Sequence, residues 1–279
     1  MTELLPTSGL HYDIPEPLYH ADPASLSSSA AKTLIYEGPD ALQEKRETPQ
    51  AYLDAFAFGS VVHALVLGVG DFQVLAHESY RTKAAREERD ALLAEGVAPI
   101  LPKQYEQAEA MAASVLAHGE AKSLLAEGYP EVSMWAEDPM TGVLMRGRVD
   151  WWNDSVVDLK TTGRSASLQD WTHAVWGFGY GFQFAYYNKI LELNDIEPRT
   201  PRWIVVSKRH PYDAAVFSPS AELMRRSERD VDRALWLYAH CKESGEWPPL
   251  SQAFDVPGVG APPRGDSIPF LESVEEGLT

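Results

Sequence analysis

The residue types best suited to chemistry lie close together, in Gly147-Arg148-Val149-Asp150 and Asp158-Leu159-Lys160. Apolar and polar positions alternate from 131 to 162, interrupted by Asp138-Pro-Met-Thr-Gly142 and Asn153-Asp154-Ser155. That pattern predicts three strands joined by two tight connections. With 143–152 and 156–162 read as a hairpin, residues two apart share a face, so Asp158 and Lys160 project together while Leu159 points the other way. Asp150 is close enough across the hairpin to share that face. Two carboxylates beside an ammonium suit a hard divalent cation such as magnesium or manganese, with the lysine orienting a water or steadying developing negative charge. A plain cross-strand Asp–Lys pair on a half-exposed sheet is the alternative. Val156-Val157 ahead of Asp158 favours the metal reading, because it sets the carboxylate at the end of an apolar run.

Further residues join this group. Gln183 and Tyr187 are spaced i,i+4 and lie on one face of a predicted helix, where amide and phenol can grip a phosphate or a base; a solvated glutamine beside core aromatics reads equally well. His63 sits inside an apolar helix, where a lone histidine is more often a core residue than a ligand. Glu131 opens the first strand, where a carboxylate is usually solvated. Arg146, Arg148 and Arg164 cluster around Lys160, with Lys208-Arg209-His210 and Arg225, Arg226 and Arg229 further on. They could line a basic channel or merely balance neighbouring acids.

The elements that must position these groups follow from patterning. Residues 1–24 are rich in Pro and small polar residues and predict an irregular arm. Ser27-Ser28-Ser29 predicts an N-cap for a short helix that stops at Gly38-Pro39. Segment 54–68 predicts a buried helix, and 82–96 and 103–127 predict two more. After the strands come a helix over about 167–193, β-rich runs at 202–208 and 214–219, and an amphipathic helix over 222–243. Beyond 248 the chain turns Pro- and Gly-rich and ends acidic, which predicts a flexible tail over 249–279. The order predicts a mixed α/β (α+β) domain over 25–248, with a helical portion at 25–128 and a sheet-bearing core at 129–248.

The chain has 279 residues, enough for one large core. A net charge of −17 argues against nonspecific coating of nucleic acid while leaving room for a local basic groove. The single cysteine, Cys241, excludes a disulfide framework and an iron–sulfur cluster ligated by four cysteines of one chain. With no apolar run of membrane length and no signal-like start, the expected location is the cytoplasm, with no membrane partner.

Taken in order, the small-residue helix carrying His63, Gly-x-x-Asp, Asp-x-Lys and Gln-x-x-x-Tyr resemble the PD-(D/E)XK nuclease superfamily. Within it they resemble the exonuclease branch of the RecB type and the CRISPR adaptation type. Leu26-Ser-Ser-Ser-Ala-Ala-Lys-Thr-Leu34 and Phe58-Gly-Ser-Val-Val-His-Ala-Leu65 are most similar to phage-type members like the exodeoxyribonuclease VIII nuclease domain. The resemblance implies a restriction-endonuclease-like core, a mixed central sheet flanked by helices. It implies a Mg²⁺-dependent DNA exonuclease (Mn²⁺ as substitute) acting 5′ to 3′ from ends of linear duplex DNA in recombination or repair, in the host cytoplasm if phage-encoded. An endonuclease of the superfamily, or a catalytically silent DNA- or partner-binding module, is the alternative. By the same resemblance His63, Asp150, Asp158 and the Leu159 carbonyl would ligate metal, and Lys160 would position the water. Glu131 would stand at the site's edge, and Gln183, Tyr187, Arg148 and Arg164 would meet DNA. A trimeric or tetrameric ring and a single-strand annealing protein are the implied partners. Two departures stand out: Val149 replaces the Pro of the motif name, and Asp158 the commoner Glu.

Overall fold

The structure, a computed structural model, describes residues 5–48, 54–253 and 272–273. The chain begins with β1 (Gly9–His11), α1 (Glu16–His20), β2 (Leu26–Ser27), α2 (Ser28–Tyr36) and α3 (Pro39–Glu47). The Ser27 hydroxyl accepts the Ala30 N–H and so caps α2, as its position predicts. Next come α4 (Asp54–Leu67), ended by Gly68, then β3 (Phe72–Val74), α5 (Lys83–Ala94) and β4 (Ala98–Ile100), with β3 and β4 forming a small parallel pair. The helix expected over 103–127 is two, α6 (Pro102–Ala117) and α7 (Gly119–Leu124). His118 leaves the helical region between them, and its Nδ1 accepts the Ala121 N–H to cap the second.

The predicted meander is present as β5 (Tyr129–Glu137), β6 (Leu144–Trp152) and β7 (Ser155–Thr162). The following helical stretch breaks at Gly179 into α8 (Leu168–Phe178) and α9 (Tyr180–Leu193), because Gly179 adopts φ 61°. A Cβ there would also stand 2.7 Å from the Tyr36 ring, so α2 and the α8–α9 corner touch through glycine. β8 (Thr200–Ser207), β9 (Ala214–Ser218), α10 (Ala221–Ser244), α11 (Leu250–Ala253) and β10 (Glu272–Ser273) complete the described elements.

The main sheet is eight-stranded and mixed, in the order β1-β5-β6-β7-β8-β9-β10, with β2 added parallel to β6. β7 and β8 run parallel, joined by the α8–α9 crossover, and the other neighbours are antiparallel. Helices cover both faces. On one, α2, α9 and α10 bury Leu34, Phe184, Tyr186, Leu235 and Leu237 against Met134, Trp203 and Phe217 of the sheet. On the other, α4 and α6 bury Val61, Val62, Met111 and Val115 against Val157, Leu159, Ile204 and Val206. The two-faced burial explains why the centre of β8, Trp203-Ile204-Val205-Val206, is an unbroken apolar run with no alternation. The mixed sheet flanked by helices is the fold class expected from the sequence.

Two expectations about the ends need correction. The N-terminal arm is not irregular: β1 pairs with β5, and α1 packs Tyr19 against the sheet. Partners far along the chain hold it there. The buried Arg146 guanidinium donates to the Asp22 and Ser25 carbonyls at 2.6 and 3.0 Å, and the Trp135 indole donates to the Asp22 carboxylate. In the expected tail, residues 250–253 form α11 and residues 272–273 pair with β9; the rest of 249–279 past residue 253 lies outside the described residues.

Candidate active site

The β6–β7 hairpin holds register only at Trp151–Val157 and Trp152–Val156. Beyond those two pairs the strands part, and the opening is where the candidate residues meet. Asp150 and Asp158 are therefore not ladder partners. Asp150 Oδ2 instead accepts the Leu159 backbone N–H at 2.8 Å, filling a place the missing ladder would have taken. The split lets groups from both helical layers reach one point. From the α4–α6 layer His63 brings Nδ1 to 3.6 Å from Asp150 Oδ2. From the α9 layer Gln183 donates to Asp158 Oδ1 at 2.8 Å.

Strand alternation sends Asp158 and Lys160 to one face and Leu159 into the core of the other, as expected. Asp158 is 1% exposed, and Lys160 Nζ lies 2.5 Å from both of its carboxylate oxygens. Apart from that ammonium, Oδ2 accepts nothing. Burial, with Asp150 adding to it, pushes the Asp158 carboxyl above its ordinary value, while Lys160 and His63 pull it down. Burial works against the Lys160 charge, yet the Asp158 and Asp150 carboxylates outweigh it and raise the ammonium above its ordinary value. Lys160 therefore stays protonated across the working pH range.

Glu131 faces Asp150, since the pairs Pro130–Trp151 and Val132–Val149 flank them in the β5–β6 ladder. It has φ 52°, a left-handed conformation that costs a non-glycine residue about 1 kcal/mol and interrupts the ladder at this position. Its carboxylate is half-buried, and burial first, then the Asp150 charge, pushes it up to about 8 against the pull of Arg148. His63, Glu131 and Asp150 bring one ligand atom each to within 4.8 Å of one another. Imidazole nitrogen and carboxylate oxygen are the donors a divalent cation takes. The donor set fits a metal ion.

Gln183 and Tyr187 form a chain: the amide donates to the Tyr187 hydroxyl at 2.9 Å, and that hydroxyl donates to the Arg148 carbonyl at 2.6 Å. The ring fits only because residue 147 is glycine; a Cβ there would stand 2.8 Å from two Tyr187 ring carbons. Both residues stand beside Asp158, but Tyr187 is buried and faces protein. Arg148 is also turned inward. Its guanidinium is 10% exposed, donates to Ser133 Oγ and the Ile14 carbonyl, lies 3.7 Å from Glu131 and stacks 4.3 Å from the Tyr19 ring. It is thus held between β5 and the N-terminal arm, and the Arg146 Nη1 group is likewise held by Asp22 and Ser25. Arg164 is 62% exposed beside Asp170 and remains open to a ligand.

Two residues of the site carried no role in the sequence. The Tyr180 ring lies 5.4 Å from Lys160 Nζ and 5.7 Å from Lys32 Nζ. The available signal was a lysine on a helix whose neighbours Ala31, Leu34 and Ile35 are core residues. A charge on an otherwise buried face needs a reason to be there.

A family model described as a PDDEXK-like domain of unknown function (DUF3799) matches residues 27–256. The chain belongs to this family. Among solved structures, the chain is similar to one from Eubacterium rectale described as a "Putative exonuclease", with a TM-score of 0.64 at 17% identity over 86% of this chain and 90% of that one. It also matches a phage-related exonuclease from Haemophilus somnus at 11% identity over 80% and 96% of the two chains, with a TM-score of 0.35. No curated protein matches significantly. The first likeness shows a shared fold; the family description supports a nuclease of PDDEXK type and, with the His63–Glu131–Asp150 cluster, a divalent-metal site. Among the described residues no helix is long and apolar enough to cross a membrane.

Proposed function

We propose that the protein is a metal-dependent exodeoxyribonuclease that hydrolyses phosphodiester bonds from the ends of linear duplex DNA. The observation that carries the reading is the buried Asp158–Lys160 pair set against the His63–Glu131–Asp150 cluster where β6 and β7 separate. Hydrolysis needs a water aligned behind phosphorus, positive charge beside the phosphoryl oxygens, and help for the departing 3′-oxygen. His63, Asp150, Asp158 and the Leu159 carbonyl would hold Mg²⁺ or Mn²⁺, joined by Glu131, whose carboxylate clusters with His63 and Asp150, and the ion would supply Lewis acidity and a more acidic water. Lys160, kept protonated by its carboxylate neighbours, orients the attacking water and offsets phosphoryl charge. Gln183 fixes the Asp158 carboxylate through one amide N–H, and Tyr187 fixes Gln183. Arg164, exposed two residues beyond the end of β7, would meet a DNA phosphate. In this reading Arg148 braces Glu131 and the arm, and does not touch DNA.

The 5′ to 3′ polarity, a recombination or repair role in a phage-like setting, a ring of three or four subunits, an annealing-protein partner and a cytoplasmic location belong to the same proposal. They rest on the resemblance to exodeoxyribonuclease VIII-type proteins. The test compares linear and covalently closed duplex DNA with Mg²⁺, for the native protein and Lys160→Ala. Loss of the linear form alone, abolished by the substitution, supports an end-dependent nuclease. Cutting of both forms makes it an endonuclease, and cutting of neither with any divalent metal leaves a binding module. Light scattering that gives a strict monomer removes the ring.

A further inference from the structure

Tyr180, at the first turn of α9, has one side stacked on the buried Trp171 at 5.2 Å and Phe178 beside it at 5.5 Å. Around the same ring stand two ammonium groups, Lys160 from the reaction centre and Lys32 from α2. Lys32 makes no hydrogen bond or ion pair among the described residues, although the protein carries a net charge of −17. Burial and then the nearby Lys160 charge push its ammonium below its ordinary value, against the pull of the Asp158 and Glu37 carboxylates, neither of which it touches. Outward from Lys32 the aromatic side chains become exposed, Tyr36 at 44% and Phe178 at 61%. Tyr36 and Gly179 then border a cavity of about 80 Å³ also lined by Trp176, Arg226 and Asp230; the Arg226 guanidinium lies 4.8 Å from the indole, and the Tyr36 hydroxyl donates to Asp230 at 3.5 Å. Aromatic rings and cations thus neighbour one another from Lys160 through Tyr180, Lys32 and Tyr36 to Trp176 and Arg226, a line of contacts that starts at Lys160.

We propose that this line is a track for the unpaired strand beside the bond to be cut, with Lys32 holding an internucleotide phosphate and Tyr36 and Phe178 stacking on bases. Phosphate takes point charges, and every base offers a π-face whatever its identity, so such a track holds a single strand without reading its sequence. Stacking also requires that the bases be unpaired. The track therefore deepens the nuclease reading, on which it rests, by naming what the site accepts: a few melted or single-stranded nucleotides and not intact duplex.

The test uses the full chain and a fluorescein-labelled 12-nucleotide single strand carrying 2-aminopurine, with Ca²⁺ to avoid cleavage, and measures anisotropy across a salt series. Mn²⁺ binding is measured in parallel on each protein. Lys32→Gln, which keeps the aliphatic stem, is expected to weaken binding about tenfold and to flatten the slope of log affinity against log salt by about 0.7, with Lys32→Arg restoring both. Phe178→Ala is expected to weaken binding roughly five- to a hundredfold, leave the salt slope unchanged and relieve 2-aminopurine quenching. Tyr36→Leu is expected to act in the same direction. Mn²⁺ binding is expected to stay unchanged in all four variants. Native protein that binds Mn²⁺ and cuts DNA while Lys32→Gln and Phe178→Ala bind the strand as tightly as it does overturns the track alone. Native protein that binds neither Mn²⁺ nor the strand overturns the nuclease reading and the track together. A blunt duplex bound more tightly than the single strand overturns the stacking role.

Discussion

Glu131 offers the sharpest perturbation of the metal site, because its environment makes binding an ion and losing a proton one event. Its carboxyl is pushed up to about 8, by burial and then by Asp150 across the ladder. At pH 7 roughly nine molecules in ten of the metal-free protein then hold that proton. A cation bound among His63, Asp150 and Glu131 must displace it, so near pH 7 the native protein should release about one proton more per ion than Glu131→Gln does. Isothermal titration with Mn²⁺ in two buffers of different ionisation enthalpy measures that difference. The logarithm of native affinity should climb between pH 6.5 and 7.5 more steeply than the variant's, by about one unit per pH unit. Stability follows the same proton. Unfolded Glu131 ionises near 4.5 and folded Glu131 near 8, so its contribution is complete below pH 4.5 and is lost as pH rises through 8. The full shift would correspond to about 5 kcal/mol, but the side chain is 36% exposed and water screens the charge, so about 1–2 kcal/mol is expected. Metal-free Glu131→Gln should therefore melt higher than the native protein at pH 8.5, by roughly 2–4 °C per kcal/mol, and match it at pH 4.5. Equal proton release by the two proteins would refute the reasoning, since Glu131 would then be either ionised beforehand or outside the ion's shell.

Four further outcomes follow from the packing. Lys160→Ala leaves the buried Asp158 carboxylate without its cation, so the metal-free protein should lose about 3 kcal/mol, read as a lower denaturant midpoint that Mg²⁺ partly restores. Gly147→Ala drives a methyl into the Tyr187 ring and should cost about 1–3 kcal/mol; a thermal melt unchanged from the native protein would mean the ring can move aside. Tyr187→Phe removes the bond to the Arg148 carbonyl, with an expected loss of about 1 kcal/mol in urea unfolding and a weaker hold on Gln183. Arg148→Ala should lower stability and leave the salt dependence of DNA binding untouched, whereas Arg164→Ala should do the reverse; an exchange of those two patterns would put Arg148 on the DNA after all.

Much of the site was legible because strands and helices impose fixed periods. Alternation alone put Asp158 and Lys160 on one face and Leu159 in the core, and the i,i+4 spacing put Gln183 above Tyr187. Composition alone excluded a four-cysteine cluster within the chain. What lay beyond the sequence were distances between elements far apart in the chain. No local pattern says that β6 and β7 separate after two pairs, because that depends on what packs above and below them, yet the separation is what admits His63 from one layer and Gln183 from the other. No local pattern says whether an arginine faces water or protein either. Arg148 and Arg164 look alike in sequence, but the N-terminal arm folds over the first and offers it the Ile14 carbonyl, while nothing described covers the second. Lys32 is the same lesson reversed. Its helix was readable from Ser27 onward, but its place beside Tyr180, which Lys160 also approaches, exists only because Gly179 lets α2 approach the start of α9. Backbone period is a property of neighbours in the chain and can be read from them. Burial, pairing and pKa are properties of neighbours in space, and here only the packed sheet and its two helical layers supply those.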